Sequence, residues 1–124
     1  MDVTPLVDRH SQIIQSYASG RFKVSGKGYE DSIVVTPKET RLWDGINSLD
    51  DITEEKLIAL FEATDMDVWL LGTGAQAQFL PTEMRKLLKS KGYHIESMDT
   101  GAACRTFNVL IAEGRRVSAA LLKL

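Results

Sequence analysis

The feature that most constrains the fold is the regular alternation of helical and extended patterns from residue 50 onward. Segments with apolar residues at helical spacing are followed by short, nearly all-apolar runs typical of buried strands. The predicted strands cover 67–71, 93–98 and 117–122, and the predicted helices begin at Thr53, at Pro81 or Thr82, and at Thr100. This order predicts a sheet with a substantial parallel part and with helices packed against it.

The first third of the chain has a different pattern. Strand-like pairs lie at 13–24 and 32–43, and Gly20, Gly26, Gly28 and Pro37 mark turns within and between them. We expect an arm at 1–10, a β-rich meander at 11–48 and the alternating portion at 49–124, all within one domain. The predicted fold class is α/β with three layers. A mixed, partly parallel central sheet has helices on one side and a small N-terminal β-hairpin layer on the other.

The composition narrows the class of protein. The 124 residues are 44% hydrophobic and 26% charged with a net charge of -2, which suits a globular domain without a basic surface for nucleic acid. No apolar run approaches the roughly 18 residues that cross a bilayer, and the N-terminus has no apolar signal-peptide core. We expect a soluble, cytoplasmic, bacterial protein without direct membrane insertion. Its oligomeric state is left open.

Two loops leave strands at the edge of the sheet where ligands of open α/β folds bind. They contain Gly72, Thr73 and Gly74 in one case and Asp99, Thr100 and Gly101 in the other. Neither matches a P-loop or a dinucleotide fingerprint. The glycines either permit tight turns between strand and helix, or let backbone N–H groups approach a ligand.

The third predicted helix carries an arginine in its early turns. Arg105 opposes the helix dipole there and lies three residues before Asn108. A cation in this position requires an anionic neighbour. The candidates within the chain are Asp99, Glu113 and Glu96, and the alternatives are a bound anion or an acidic partner protein.

Catalytic residues are not evident. Cys104 near a helix N-terminus could be reactive, but a base such as His94 or His10 would have to lie within hydrogen-bond reach. His94 begins the preceding strand, at the end away from Cys104, so we expect Cys104 to be a small buried residue. With one cysteine and two histidines, we expect no metal and no cofactor. Nothing in the sequence indicates enzyme activity, which stays an open alternative.

Several segments resemble a known family. They are Met98–Leu110, Glu113–Val117 and Ala119–Leu121, and upstream Leu70–Gly74, Phe79–Pro81, Tyr17 with Phe22, and Ser32–Val35, which follows Asp31 where the family pattern has glycine. Over residues 13–122 the chain resembles the complex I (NADH dehydrogenase) assembly factor 3 family, which also holds uncharacterised bacterial and archaeal proteins and the adipogenesis-associated domain proteins. The resemblance implies a three-layer fold with a mixed sheet. It also implies, for the mitochondrial members, assembly of respiratory complex I through protein contacts.

Two functional hypotheses follow. The first is a non-catalytic interaction or assembly module with a protein partner, such as a respiratory complex subunit or assembly intermediate. The second is a small anionic-ligand-binding domain or an unrecognised enzyme, which requires a closed pocket with Arg105, Asn108 and Thr73 and an exposed Cys104. Both use the same candidate residues: Gly72, Thr73, Gly74, Asp99, Thr100, Gly101, Arg105 and Asn108.

Overall fold

The structure is a computed structural model that describes residues 12–124. The expected arm at 1–10 lies outside the described residues. In chain order the elements are β1 (Ile14–Ser16), β2 (Phe22–Val24), β3 (Lys27–Tyr29), β4 (Ile33–Val35), β5 (Thr40–Leu42), α1 (Glu54–Ala63), β6 (Val68–Gly72), α2 (Thr82–Ser90), β7 (Ile95–Met98), α3 (Thr100–Ala112) and β8 (Val117–Leu121).

The central sheet has five strands in the order β5-β4-β8-β6-β7. β6 runs parallel to both β7 and β8, whereas β4 is antiparallel to β8 and to β5. The predicted mixed, partly parallel sheet is therefore confirmed. β6 and β8 are buried on both faces, which explains why their sequences read as continuous apolar runs.

The three helices begin close to where the sequence indicates. The Thr53 side chain accepts a hydrogen bond from the Lys56 N–H at 3.2 Å and caps α1, and α2 begins after Pro81. The predicted cap of α3 is wrong by one residue. Asp99 is the N-cap, since its carboxylate accepts a hydrogen bond from the Ala102 N–H at 2.8 Å. Thr100 is the first helical residue, and its hydroxyl bonds elsewhere.

A second, three-stranded antiparallel sheet is formed by β1, β2 and β3. The sequence indicated two of these strands and assigned the third to a turn, because Gly26 and Gly28 are typical turn residues. Only Ser25 and Gly26 form the turn, with φ of 48° and 86°. Two consecutive residues with positive φ make the tight hairpin connection that matches the twist of the strands.

Alternation along the central strands produces a hydrophobic core on each face of the sheet. The first core joins Ile33, Val35 and Leu70 of the sheet to Phe22 of the small sheet and Phe107 of α3. The second core lies on the opposite face; it includes Val34, Trp69 and Leu71 of the sheet, Leu57 and Leu60 of α1 and Leu88 of α2.

The three predicted layers are confirmed, with one difference in their content. α1 and α2 cover one face of the central sheet, whereas α3 shares the other face with the small sheet. This placement follows from the right-handed crossovers, which put consecutive helices of a parallel sheet on different faces when the strand order reverses. Within residues 12–124, no helix has the length and apolar character that crossing a membrane requires.

Candidate functional site

The two glycine-containing loops meet at one edge of the central sheet. The Thr73 N–H donates to the Met98 carbonyl at 2.8 Å, and the Thr100 N–H donates to the Gly74 carbonyl at 2.9 Å. Because β6 and β7 are parallel neighbours, the loops that follow them lie side by side. The structure thus brings Gly72, Thr73 and Gly74 next to Asp99, Thr100 and Gly101.

Two threonine hydroxyls hold this edge together. The Thr100 hydroxyl accepts from the Gly74 N–H at 2.8 Å and donates to the Leu122 carbonyl at 2.7 Å. The Thr73 hydroxyl lies 2.7 Å from the Gln76 carbonyl and 3.1 Å from the Met98 carbonyl, and accepts from the Gln78 N–H at 3.1 Å. Both side chains are buried. Their polar atoms are satisfied by the backbone of the protein itself.

Two glycines allow close approach of neighbouring elements. A Cβ atom on Gly72 would lie 2.9 Å from the Thr100 hydroxyl oxygen and 3.0 Å from its Cα. A Cβ atom on Gly101 would lie 3.1 Å from the Tyr17 ring and 3.2 Å from Nη1 of Arg105. The structure therefore explains both glycines by packing of β6 and of β1 against the start of α3.

Arg105 is exposed at the N-terminal part of α3. Its Nη1 donates a hydrogen bond to the Tyr17 hydroxyl at 2.8 Å. Among residues 12–124 no carboxylate lies within 4.0 Å of its guanidinium group. Of the expected intramolecular partners, Asp99 caps α3 and Glu96 pairs with His94. The positive charge of Arg105 thus has only a neutral partner in the described part of the chain.

Asn108 is held in a different way. Its side-chain oxygen accepts from the Ile14 N–H at 2.9 Å, and its side-chain nitrogen donates to the Ile14 carbonyl at 2.8 Å. The carboxamide therefore fastens β1 to α3. Both polar ends of the carboxamide are occupied by this contact, whereas the Arg105 guanidinium has the Tyr17 hydroxyl as its one hydrogen-bond partner within residues 12–124.

Cys104 is buried in the core, whereas His94 is exposed at the surface. Cys104 lies on the buried face of α3 and is 1% exposed. Burial raises the pKa of its thiol to about 12, against a smaller lowering effect of Arg105. His94 is exposed before the edge strand β7, 3.1 Å from a Glu96 carboxylate oxygen. His10 lies outside the described residues. The thiol is protonated at neutral pH, so it is not a nucleophile there.

Within residues 12–124, the depression lined by Thr73 and Gly74 is not lined by Arg105 or Asn108. Thr73 and Gly74 line a shallow depression of about 250 Å³ together with Asn47, Asp50 and Lys123. Arg105 and Asn108 are absent from its lining. Both residues lie on α3, where Arg105 contacts Tyr17 and Asn108 contacts Ile14 of β1. Tyr17 lies next to Arg105 only through the fold, because the two residues are 88 positions apart and no local pattern indicates their contact.

Residues 12–124 contain no cluster of three or more His, Cys, Asp or Glu side chains that could hold an ion. The polar groups near the start of α3 include the Arg105 guanidinium and the Tyr17 hydroxyl.

Comparison with known proteins places this geometry in a family. The model of the family described as protein of unknown function (DUF498/DUF598) matches residues 14–122. The chain belongs to this family. Its relatives include an uncharacterised protein of Rhodobacter capsulatus, 33% identical over 88% of this chain and 82% of that protein. They also include the NADH dehydrogenase [ubiquinone] 1 alpha subcomplex assembly factor 3 of Danio rerio, 36% identical over 89% of this chain.

The resemblance to complex I assembly factor 3 predicted from the sequence is thereby confirmed. The chain spans 63% of the length of the Danio rerio factor. Among solved structures, a Bordetella parapertussis protein matches with a TM-score of 0.83 and 33% identity over 92% of this chain and 97% of that one. The Danio rerio relative is an assembly factor of the NADH dehydrogenase [ubiquinone] 1 alpha subcomplex.

Proposed function

We propose that this DUF498/DUF598 domain is a non-catalytic interaction module that takes part in assembling respiratory complex I or a related complex. The observation that carries the proposal is the 36% identity to an assembly factor over 89% of the chain. We further propose that it works in the cytoplasm, associated with the inner face of the membrane through its partners.

The contact surface that we propose is centred on Arg105. This side chain is exposed and has only the neutral Tyr17 hydroxyl as its partner within residues 12–124. Val109 follows one turn later on the same side of α3 and is 56% exposed. A cation beside an apolar side chain suits a partner that offers a carboxylate next to an apolar group.

The other candidate residues support this surface in the proposal. Gly72, Thr73, Gly74 and Thr100 fix the start of α3 against β6, and Asp99 caps the helix. Gly101 leaves room for Tyr17 and Arg105, and Asn108 fastens β1 beside them. A rigid scaffold of this kind lowers the entropy cost of ordering a contact on binding.

The alternative function, an anionic-ligand site or an enzyme at the same edge, has less support. It required Arg105, Asn108 and Thr73 in one pocket with an exposed Cys104. Asn108 is bonded to Ile14 and Cys104 is buried. Thr73 faces a depression that Arg105 does not line.

Affinity capture from cells that encode the chain tests the proposal. Tagged wild-type protein is compared with Arg105→Ala and with the matched control Arg41→Ala. Arg41 is also exposed and without an ion pair within residues 12–124, but lies on β5. We expect complex I subunits or assembly intermediates with the wild type and the control, and their loss with Arg105→Ala. Folded wild-type protein that captures no such subunits would contradict the proposal.

A further inference from the structure

The strand β7 leaves one edge of the central sheet open. It is the last strand of the sheet and has β6 as its sole neighbour among residues 12–124. The Trp69 N–H donates to the His94 carbonyl at 3.0 Å, and the Thr73 N–H donates to the Met98 carbonyl at 2.8 Å. Alternate residues of a parallel strand face the same neighbour. Ile95 and Ser97 therefore turn their N–H and C=O groups away from β6.

These outward groups lack partners within the described residues. No backbone or side-chain group of residues 12–124 bonds to the main chain of Ile95 or Ser97 on that side. The two residues are separated by two positions, or roughly 6.6 Å along a strand. A second extended segment beside β7 has backbone N–H and C=O groups at the same spacing, so it can pair with those of Ile95 and Ser97.

An apolar groove lies beside the open edge, on the side of α2. Its volume is about 700 Å³, and its apolar lining includes Phe79, Leu80, Leu88 and Tyr93 with Ile95 of the strand itself. Phe79 is 75% exposed. Such exposure of a phenyl ring next to unpaired backbone is typical of a surface that a partner covers.

The charges at the groove specify the kind of partner. Arg85 and Lys89 of α2 line it, and the Arg85 guanidinium lies 5.8 Å from the centre of the Phe79 ring. Within residues 12–124 neither cation forms an ion pair. The acidic residue of the lining, Glu96, already pairs with His94. The unpaired charge of the groove is positive, so it favours an acidic occupant.

We propose that β7 and this groove bind an extended segment of a partner protein in which apolar and acidic residues are interleaved. The segment adds to the sheet as a sixth strand. Its backbone pairs with Ile95 and Ser97. On the face toward α2 it carries both apolar side chains, which cover Phe79 and Tyr93, and carboxylates, which reach Arg85 or Lys89. This inference rests on the proposed function as an interaction module and adds the form and charge of one partner segment.

The opposite edge of the sheet supplies a contrast. There the Thr40 hydroxyl of β5 lies 2.8 Å from the Gln12 side-chain oxygen, and the Gln12 N–H donates to the Pro37 carbonyl at 3.1 Å. The chain itself therefore lies against the start of β5. The matched charge on this edge is Arg41, which provides a control.

Peptide titration by NMR tests the proposal with the complete chain. The probe is a synthetic peptide that repeats Val-Thr-Glu-Thr, which puts valine and glutamate on the same face of a strand, and its counterpart carries lysine in place of glutamate. We expect the glutamate peptide to shift the amide signals of Ile95 and Ser97 and to protect both amides from exchange. We expect the lysine peptide to bind at least about ten-fold more weakly, because its charges face Arg85 and Lys89.

Three variants locate the binding. Ser97→Pro removes an outward N–H without touching the ladder to β6, since proline is tolerated on edge strands. Arg85→Glu reverses one exposed charge of the groove and provides a second test if Ser97→Pro fails to fold. We expect either change to weaken binding of the glutamate peptide at least about ten-fold, and the control Arg41→Glu to leave it unchanged.

Several outcomes would overturn the proposal. They are equal affinity for both peptides, shifts confined to β5, or concentration-dependent shifts at Ile95 and Ser97 without peptide, which would assign the edge to a second copy of the chain. Its failure is distinct from that of the assembly role. If the glutamate peptide does not bind while wild-type chain still captures complex I subunits, the groove proposal fails and the assembly role stands.

Discussion

Asn108 on α3 bonds both backbone groups of Ile14 on β1, with distances of 2.9 and 2.8 Å between donor and acceptor atoms. The two residues are 94 positions apart in the chain. A side-chain amide that fulfils the donor and the acceptor of one residue acts as a substitute strand neighbour. Through this pair the small sheet is joined to the helix that carries Arg105.

We expect Asn108→Ala to lower the free energy of unfolding by about 1–3 kcal/mol, because it leaves both Ile14 groups without partners. Urea denaturation followed by circular dichroism measures the change. Val109→Ala is the control, since the neighbouring side chain is 56% exposed and its loss should have little effect. Equal stability of wild type and Asn108→Ala would show that the pair does not stabilise the fold.

Gly72 provides a second test of packing at the edge. An alanine Cβ there would lie 2.9 Å from Leu121 Cδ2 and 3.0 Å from the Thr100 backbone, so Gly72→Ala should cost about 1–3 kcal/mol through displacement of α3. Gly28→Ala is the matched control, because its nearest neighbour is the Phe22 carbonyl oxygen at 4.0 Å. Thermal denaturation of both variants checks the difference. A Gly72→Ala protein as stable as Gly28→Ala would contradict this description of the edge.

The spacing of apolar residues along the chain predicted most of the fold. The runs that became β6 and β8 are buried on both faces, so their continuous apolar sequences identified them as strands. Local rules failed where two signals competed. β3 contains Gly28, which is typical of turns, yet its hairpin turn is formed by Ser25 and Gly26. The cap of α3 was placed one residue late because Asp99 and Thr100 are both good capping residues.

Cys104 is expected to be inert in the folded protein. Burial raises the pKa of its thiol to about 12, so thiol reagents should modify it slowly at neutral pH and rapidly once the chain is unfolded in urea. Absorbance of the released chromophore of a disulfide reagent follows the reaction. Rapid stoichiometric modification of native protein would contradict the buried position.

The same thiol predicts a pH dependence at the alkaline side. Because the folded pKa is raised above the unfolded value of about 8.5, folding favours the protonated thiol. The stabilisation from the protonated thiol is fully present below the pKa of the unfolded state, and it is lost as the pH rises toward the pKa of the folded state. Wild-type protein should lose more stability than Cys104→Ala as the pH is raised above about 8.5. Parallel stability profiles for the two proteins would exclude this effect.

At acidic pH, Asp67 is expected to make the stability of the folded protein depend on pH. Its carboxylate accepts a hydrogen bond from Arg116 at 2.8 Å, which lowers the pKa of Asp67 below its usual value. The stabilisation from the ionised Asp67 carboxylate is present above its usual pKa and disappears as the pH falls through its pKa in the folded state. Asp67→Asn should therefore flatten the stability profile below about pH 4. Asp44→Asn, an exposed carboxylate on another loop, should leave the profile unchanged.

The candidate site was predictable in part. The meeting of the two loops follows from parallel strands, and the structure has Thr73 bonded to Met98 and Thr100 bonded to Gly74. The partner of Arg105 was not predictable. The expected ion pair with Asp99, Glu113 or Glu96 is absent from residues 12–124, and the guanidinium instead reaches Tyr17, 88 positions away. A contact across that separation depends on the fold and has no local sequence signal.

The open edge at β7 was not indicated by the sequence either. The strand order places β7 last, and strand order is a tertiary property that the alternation of elements does not specify. In the sequence, Phe79 belongs only to the Phe79–Pro81 segment of the family pattern. Its 75% exposure beside unpaired backbone groups is visible only in the folded chain.

The proposed part of the chain in assembling complex I can be tested in cells by deletion of its gene, followed by native gel electrophoresis of membranes stained for NADH dehydrogenase activity. The assembly account predicts loss of the fully assembled complex with accumulation of smaller intermediates, restored by wild-type chain and by Arg41→Ala, and not by Arg105→Ala. Full-size complex I in unchanged amount in the deletion strain would contradict it.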